Sequence, residues 1–478
     1  MDELKEKTLW GVKWNAIGRF STQGIGFVIG LILARILSPD DYGVIGMVGI
    51  FFSIAGTFID SGLGSALIRK KDCTDVDYST AFYFNIVVGL LCCIVLSLMA
   101  PFIANFFKTP ILRDIVVVMS INMFISSLSF VQGARLTAAI DFKTQAKISL
   151  ITTVFSGVIG IAMAYNGFGV WSLVWQGGVA NILRTILLVI FTKWYPKWQF
   201  SKESFKYLFT FGSKILTATL LHTIYANLST LIIGKFYTPK DLGYYARGES
   251  LASMPSTNIT GILGSVTYPI LSKIQDDEKR LINVYRKYIA MTSMVIFFGM
   301  FLLAALAKPL IIVLLTEKWL PSVVFLQVFC FALMFDHLCQ LNLNILYVKG
   351  RSDLVLRLEV IKKTISISMF VAAIPFGVLA ICLSRAVYTQ IAVVINTYYT
   401  GKLFGLGYLA QVRDFIKYLI FSAIAVVPAF ILTYTMLPSI VVILVGGLSA
   451  CFIYWIMIRK DYNFNELVFL LNKNKRKV

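Results

Sequence analysis

The sequence predicts an all-α polytopic membrane protein: about fourteen transmembrane helices, as two parallel-repeat six-helix lobes plus two C-terminal helices. Three observations predict it. Of the 478 residues, 58 % are hydrophobic and only 14 % are charged, where a soluble chain of this size carries about 25 % charged residues. The charges are separated by long uncharged runs. A segment near residue 35 recurs near residue 235. The formal charge is +20, from 44 Lys and Arg against 24 Asp and Glu. That combination excludes a soluble globular enzyme, a disordered chain and a disulfide scaffold. It gives no support to a nucleic-acid binder, which gathers its charge on a solvated face.

Cys92, Cys93, Cys330, Cys339, Cys382 and Cys451 sit in apolar runs and Cys73 beside a basic cluster. Their spacing fits neither a metal site nor a disulfide frame, and two histidines are too few for zinc. We expect packing cysteines, no metal and no cofactor.

Taken in order, residues 1–13 are charged and amphipathic, with Trp10 leading to Trp14, and read as a cytoplasmic interfacial segment without a signal-peptide cleavage pattern. A span needs ~20 mostly apolar residues. Breaks at charged or Pro/Gly-rich stretches leave candidates at 14–36, 42–67, 79–107, 111–133, 145–165, 168–192, 206–235, 243–272, 287–307, 321–348, 355–374, 377–403, 414–437 and 439–458. The domains that follow are an N-lobe at 14–195 (spans 1–6), a C-lobe at 206–403 (spans 7–12), spans 13–14 at 414–458 and a basic cytoplasmic tail at 459–478.

Charge bias tests the count. With both termini cytoplasmic, the inner segments hold 31 Lys and Arg, including Arg69, Lys70, Lys71, Lys197, Lys202 and Lys206. The outer ends hold seven: Arg35, Lys108, Arg113, Lys235, Lys240, Lys308 and Lys318. Cations favour the cytoplasmic side, and a missed span would scramble the alternation downstream.

The repeat is explicit. Arg35-Ile36-Leu37-Ser38-Pro39-Asp40-Asp41-Tyr42-Gly43 aligns with Lys235-Phe236-Tyr237-Thr238-Pro239-Lys240-Asp241-Leu242-Gly243 at an offset of 200. Ser53, Thr57, Ile59, Leu63, Gly64 and Ser65 recur 200 residues on, giving nine identities over residues 35–66. Farther along, Phe168-Gly169-Val170 maps to Phe376-Gly377-Val378. An offset of six spans, an even number, keeps both copies in one orientation. Transporters built from parallel repeats hold substrate near the midplane and rock one half against the other. In the shared Pro-x-Asp-x-Gly element, Pro stops one helix, Asp caps the next and Gly permits a tight turn. The rival reading makes Asp40-Asp41 the catalytic base of a lipid-linked glycosyltransferase; recurrence in both halves favours the cap.

Fourteen spans as six, six and two resemble the multidrug/oligosaccharidyl-lipid/polysaccharide exporter superfamily, and most closely its oligosaccharide flippases of the colanic- and teichuronic-acid exporter type. The local match is Lys13-Trp14-Asn15-Ala16-Ile17-Gly18-Arg19-Phe20, then Ala34 to Gly43, then Asp60-Ser61-Gly62-Leu63-Gly64-Ser65-Ala66-Leu67-Ile68-Arg69. The resemblance implies a multi-pass protein of the bacterial inner membrane that flips an undecaprenyl-diphosphate-linked oligosaccharide for capsule, exopolysaccharide or lipopolysaccharide O-antigen biosynthesis. Its partners would be that lipid, the bilayer, and a polysaccharide polymerase with its export machinery. It also implies two lobes around a cavity that alternates its opening.

Independently, ionisable residues inside spans are costly and face a cavity or a partner. Polar stripes at helical spacing run through Arg19, Gln23, Gly26 and Gly30; Ser53, Thr57, Asp60 and Gly64; Lys214, His222, Tyr225 and Ser229; Asp336, Gln340, Asn344 and Tyr347; and Arg385, Thr389 and Asn396. Polar glue between packed helices explains any one stripe; five together favour a wet cavity. Arg19, Lys214, Arg184, Arg247 and Arg385 are the cations expected to serve a diphosphate, since guanidinium binds phosphate bidentately. Arg19 and Lys214 belong near the inner mouth. Arg184 either serves the substrate or pairs with Asp60, and Arg247 either does so or groups with Glu249. Asp60, Asp336 and His337 are candidates for ion coupling, with Asp336-His337 either a proton relay or a buried hydrogen-bonded pair. Gln23, Gln340, Asn344 and Tyr225 are candidates for glycan contact.

The expected mechanism is alternating access without ATP hydrolysis, since no Walker-type loop is present. Two negative charges moving outward against a cytoplasm-negative potential gain ~4.6 kcal/mol per 100 mV. The alternatives are a cation-coupled multidrug exporter of the same superfamily, which should carry acidic clusters inside the lobes, and a membrane glycosyltransferase or polymerase, which should carry a sizeable outer loop.

Overall fold

The structure, a computed structural model, describes residues 2–70, 72–466 and 469. The basic residues of the tail beyond 466 and the side chains of 1–9 and 11–13 lie outside the described set, and with them most of the segment expected to be interfacial; Trp10 stacks on Trp14 at 6.4 Å.

No strand occurs among the described residues. The chain divides into two compact units, Met1–Gly243 and Tyr244–Val478. The first holds α1 (Asp2–Ile36), α2 (Pro39–Asp60), α3 (Leu63–Arg69), α4 (Asp75–Phe106), α5 (Leu112–Ser127), α6 (Phe130–Ala138), α7 (Phe142–Tyr165), α8 (Val170–Thr192) and α9 (Lys202–Phe236). α10 (Pro239–Lys273) straddles the division. The second unit continues with α11 (Glu278–Ala305), α12 (Ala307–Leu315), α13 (Ser322–Leu333), α14 (Asp336–Val348), α15 (Ser352–Ala373), α16 (Val378–Phe404), α17 (Tyr408–Leu432) and α18 (Ser439–Ile458).

Twelve helical segments among the described residues are long and apolar enough to cross a membrane. The two further helices that a count of fourteen requires are α10 and α15, which have the length but not a place among the twelve. α4 shows what faces the lipid: Val87, Leu91, Leu98 and Phe102, at helical spacing, are 60–71 % exposed. Hydrocarbon leaves such a stripe at no cost, while the helix satisfies its own backbone.

In the first unit, connections collect at two opposite ends, as alternating spans require. At one end, the backbone N–H of Lys197 donates to Ser79 Oγ at 3.0 Å, and the Lys197 ammonium pairs with Asp75 at 2.8 Å. Here Thr74 and Asp77 form a capping box on α4, and Lys70 binds both oxygens of the buried Asp77 at 2.7 Å. At the other end, Lys235 Nζ donates to the Phe106 carbonyl at 2.7 Å.

That other end also carries the repeated element. Ser38, not Asp41, is the N-cap of α2, and Asp41 completes a capping box: its Oδ2 accepts from Ser38 N–H (2.8 Å) and Oγ–H (2.7 Å). Thr238 and Asp241 repeat the arrangement, with the Thr238 hydroxyl 2.6 Å from Asp241 Oδ2. The expected turn at Gly43 is a correction. Gly43 lies inside α2, and its missing side chain serves a close backbone approach.

In the second unit, α17 and α18 pack on α11 and α12. Tyr454 Oη donates to the Met294 carbonyl at 2.6 Å, and Arg286 binds Asp414 through two nitrogens. Asn342 on α14, Thr400 on α16 and Gln411 on α17 form a buried knot: Asn342 Nδ2 donates to Gln411 Oε1 and Gln411 Nε2 to Asn342 Oδ1, both at 2.9 Å. Buried amides are retained only where they are satisfied like this.

Candidate functional site

Two helices of the first unit break in mid-span. α2 stops at Asp60, and Ser61 and Gly62 follow in the left-handed region (φ 48° and 66°) before α3 resumes. Glycine is needed at 62 on a second count, because a Cβ there would lie 2.5 Å from the Gly212 carbonyl oxygen of α9. The fourth span breaks between α5 and α6, at Leu128 and Ser129. Irregular backbone at membrane depth is tolerated where it lines a cavity.

It does so here. The two broken helices, with α7 and α8, enclose a cavity of about 710 Å³ inside this unit. Asp60, Asn122, Ser126, Gln145, Asn181 and Arg184 are among its polar lining. On α8, a Cβ at Gly177 would meet nothing within 4 Å, while Gly178 admits the Asn122 amide, which a Cβ there would meet at 2.6 Å. The expected Asp60–Arg184 ion pair is absent: both groups line the cavity, and no pair within 4.0 Å forms between them. A guanidinium and a carboxylate thus face one polar space with their charges uncommitted. The volume is within the range of about 300–1,000 Å³ typical of ligand sites.

Other candidates lie elsewhere. Arg19 is exposed on α1 and Gln23 half-buried, and neither lines this cavity. Lys214 is exposed on α9 in a separate pocket with Arg69 and Lys206. Tyr225 is half-buried on α9.

In the second unit, the tenth span also breaks, at Met334 and Phe335, so Asp336 opens α14. The Asp336-His337 pair does not form. His337 Nε2 lies 2.8 Å from Ser293 Oγ, and its ring meets Phe297 edge-on at 5.4 Å. Successive helix positions point to different faces, which separates the two side chains. Asp336 forms no ion pair within 4.0 Å among the described residues. Lys362 is bonded to Glu359 at 2.5 Å. Glu249 pairs with Arg385 rather than grouping with Arg247, so Arg385 already holds a counter-ion. The Arg247 guanidinium lies 5.7 Å from the Trp319 ring centroid. Gln340 Nε2 donates to Asn344 Oδ1 at 3.1 Å, joining two expected glycan contacts to each other. No group of three or more His, Cys, Asp or Glu able to hold a metal occurs among the described residues.

Sequence reasoning missed most of the cavity lining. Asn122, Ser126 and Ser129 stand at i, i+4 and i+7, and Asn181 stands three residues before Arg184; both spacings are the helical signal that singled out the other stripes. Glu359 and Lys362 were readable as an i, i+3 pair.

A family model described as polysaccharide biosynthesis protein matches residues 32–324, more than half of the chain. The chain is 24 % identical over 440 residues to the teichuronic acid biosynthesis protein TuaB of Bacillus subtilis (strain 168), covering 89 % of each. It is 24 % identical over 381 residues to the lipopolysaccharide biosynthesis protein WzxC of Escherichia coli (strain K12), covering 78 % of this chain and 76 % of that one. Among solved structures, it is similar to the lipid II flippase MurJ in an inward closed conformation, with a TM-score of 0.73 at 16 % identity over 93 % of this chain and 98 % of that one. An inward-facing multidrug resistance transporter of the MATE family aligns with a TM-score of 0.60 at 12 % identity, over 80 % of this chain and 94 % of that one.

Proposed function

Because the chain belongs to the polysaccharide biosynthesis protein family, we propose that it is a flippase, a transporter rather than an enzyme. It moves an undecaprenyl-diphosphate-linked oligosaccharide from the cytoplasmic to the periplasmic leaflet of the bacterial inner membrane. Both termini face the cytoplasm, and a polysaccharide polymerase receives the product. The observation that carries the reading is the cavity of the first unit, where Arg184 is free of an acid partner among amides and hydroxyls. Arg184 serves the diphosphate, and Asn122, Gln145 and Asn181 serve sugar hydroxyls. Alternating access of the two repeat copies exposes the site to each side while the polyprenyl chain stays in lipid. Asp60 is the group assigned to ion coupling, because it shares the cavity.

A cation-coupled drug exporter fits less well. The interior acids Glu249 and Glu359 of the second unit are neutralised by Arg385 and Lys362, and Asp336 is a single acid, so no free acidic cluster for an organic cation occurs there among the described residues.

Depleting the protein in its host tests the reading. Lipid-linked oligosaccharide should accumulate where an impermeant periplasmic glycosidase does not reach it. Undiminished surface polysaccharide on depletion would overturn the proposal.

A further inference from the structure

We propose that a basic pocket outside the cavity captures the lipid carrier's diphosphate before translocation. This rests on the flippase reading above and adds a second, receiving site to it. The pocket, of about 490 Å³, lies between the end of α3 and the first turns of α9 and is lined by Arg69, Glu203, Lys206, Tyr207, Phe211 and Lys214. Glu203, Lys206, Tyr207, Thr210, Phe211 and Lys214 stand at i, i+3, i+4, i+7, i+8 and i+11, so one face of α9 is turned to this space.

Its charge is available. Neighbouring Lys70 is spent on Asp77, both of whose oxygens it binds at 2.7 Å. Arg69, Lys206 and Lys214 have no acid within 4.0 Å among the described residues. Three cations against Glu203 leave a net charge that matches the two negative charges of a diphosphate diester. The guanidinium of Arg69 lies 4.5 Å from the Phe211 ring centroid, which orients its fork while leaving its N–H donors open.

The surroundings select a lipid rather than a free anion. Ile68, next to Arg69, is 46 % exposed, and Tyr207 and Phe209 are 50 % and 38 % exposed. An anion with an apolar tail satisfies both the cations and these side chains. The pocket sits at the end of the unit where residues 75–80 meet residues 197–201, the end whose cations mark it as cytoplasmic. That is the leaflet in which the loaded carrier waits.

The test uses the full chain in nanodiscs of zwitterionic lipid, titrated separately with a short polyprenyl diphosphate, inorganic pyrophosphate and phosphatidylglycerol. Arg69→Gln/Lys214→Gln and Lys206→Gln are compared with the parent and with Lys240→Gln at the other end; thermal unfolding confirms that each folds. Each lost charge-assisted contact weakens binding by about tenfold. The polyprenyl diphosphate Kd should therefore rise by at least that factor in the pocket variants and hold in Lys240→Gln. In flipping assays, the apparent KM should rise with the maximal rate kept. Unchanged binding in the pocket variants of a chain that still flips would overturn the pocket and spare the flippase reading. Pyrophosphate or phosphatidylglycerol binding as tightly as polyprenyl diphosphate would also overturn it, as a free-anion or general lipid site. A parent that neither binds the carrier nor flips it would overturn both.

Discussion

Gly43 and Pro239 meet backbone to backbone: a Cβ built on Gly43 would lie 1.7 Å from the Pro239 carbonyl oxygen. The relation is reciprocal, since one on Gly243 would lie 2.0 Å from the Pro39 carbonyl oxygen. The two copies of the repeated element therefore face each other, and each glycine admits the proline of the other. Gly43→Ala forces backbone apart and should cost about 1–3 kcal/mol or more, the range for overpacking. Thermal unfolding in detergent should show a clear loss of Tm for Gly43→Ala and for Gly243→Ala. Gly49→Ala, which meets nothing within 4 Å, should leave the Tm within error or raise it.

Asp41 belongs to a capping box, and that defines its contribution. Ser38→Ala and Asp41→Asn should each lower stability by about 1 kcal/mol, as loss of a helix cap does. Transport by the folded fraction should continue. Abolished turnover in a fully folded Asp41→Asn protein would revive the catalytic-base reading of Asp40-Asp41.

Arg184 is a cation without a carboxylate partner in a polar cavity, so its removal should act on substrate more than on folding. Arg184→Gln should cut flipping by at least about tenfold, the worth of a charge-assisted bond of 1.5–3 kcal/mol, with the unfolding midpoint near that of the parent. Arg184→Lys should recover only part of the rate, because an ammonium lacks the bidentate fork. A variant that flips normally would remove Arg184 from the site.

Arg385 and Glu249 should behave as a coupled pair. Arg385→Gln and Glu249→Gln each leave one charge without its partner, and each should destabilise the protein. The double variant should be more stable than the sum of the single effects implies. Strict additivity in thermal unfolding would show that Arg385 stands free, as a substrate-binding cation would.

Asp461 fixes a pH dependence beyond the membrane spans. Burial pushes its carboxyl up, but the ammonium of Lys417 at 2.5 Å, the Tyr418 hydroxyl at 3.0 Å and the Asn463 backbone N–H at 2.8 Å outweigh it and hold it below the usual carboxylate value. A group depressed on folding stabilises the fold above its unfolded pKa of about 3.9, and that stability is lost as pH falls through the folded value. Asp461→Asn should lower the Tm at neutral pH, with the gap to the parent closing below about pH 4. A gap that is constant with pH would contradict the assignment.

Class and repeat were legible in sequence because hydropathy and identity at a fixed offset are one-dimensional signals. That the element caps a helix was legible for the same reason, since Ser38 and Asp41 are three residues apart, although the N-cap is Ser38 and not Asp41. What escaped depends on distance through space. The approach of Gly43 to Pro239 spans 196 positions, and nothing local marks it. Adjacency misled at Asp336-His337, whose side chains diverge on one helix, His337 meeting Ser293 instead. Arg184 and Asp60 line one cavity, and periodicity cannot tell a shared cavity from an ion pair. The breaks after Asp60 and Leu333 carry little signal beyond Gly62, because each half remains apolar.

The most direct measurement is flipping itself. The purified chain would be placed in proteoliposomes with undecaprenyl-diphosphate oligosaccharide, and glycan newly exposed on the far leaflet read with an impermeant lectin, for the parent and for Lys214→Ala and Arg184→Gln. The account predicts exposure by the parent, faster when the potential favours outward movement of negative charge, and its loss or slowing in the folded variants. A parent that exposes no diphosphate-linked glycan, yet drives ion-coupled efflux of small organic cations, would contradict it.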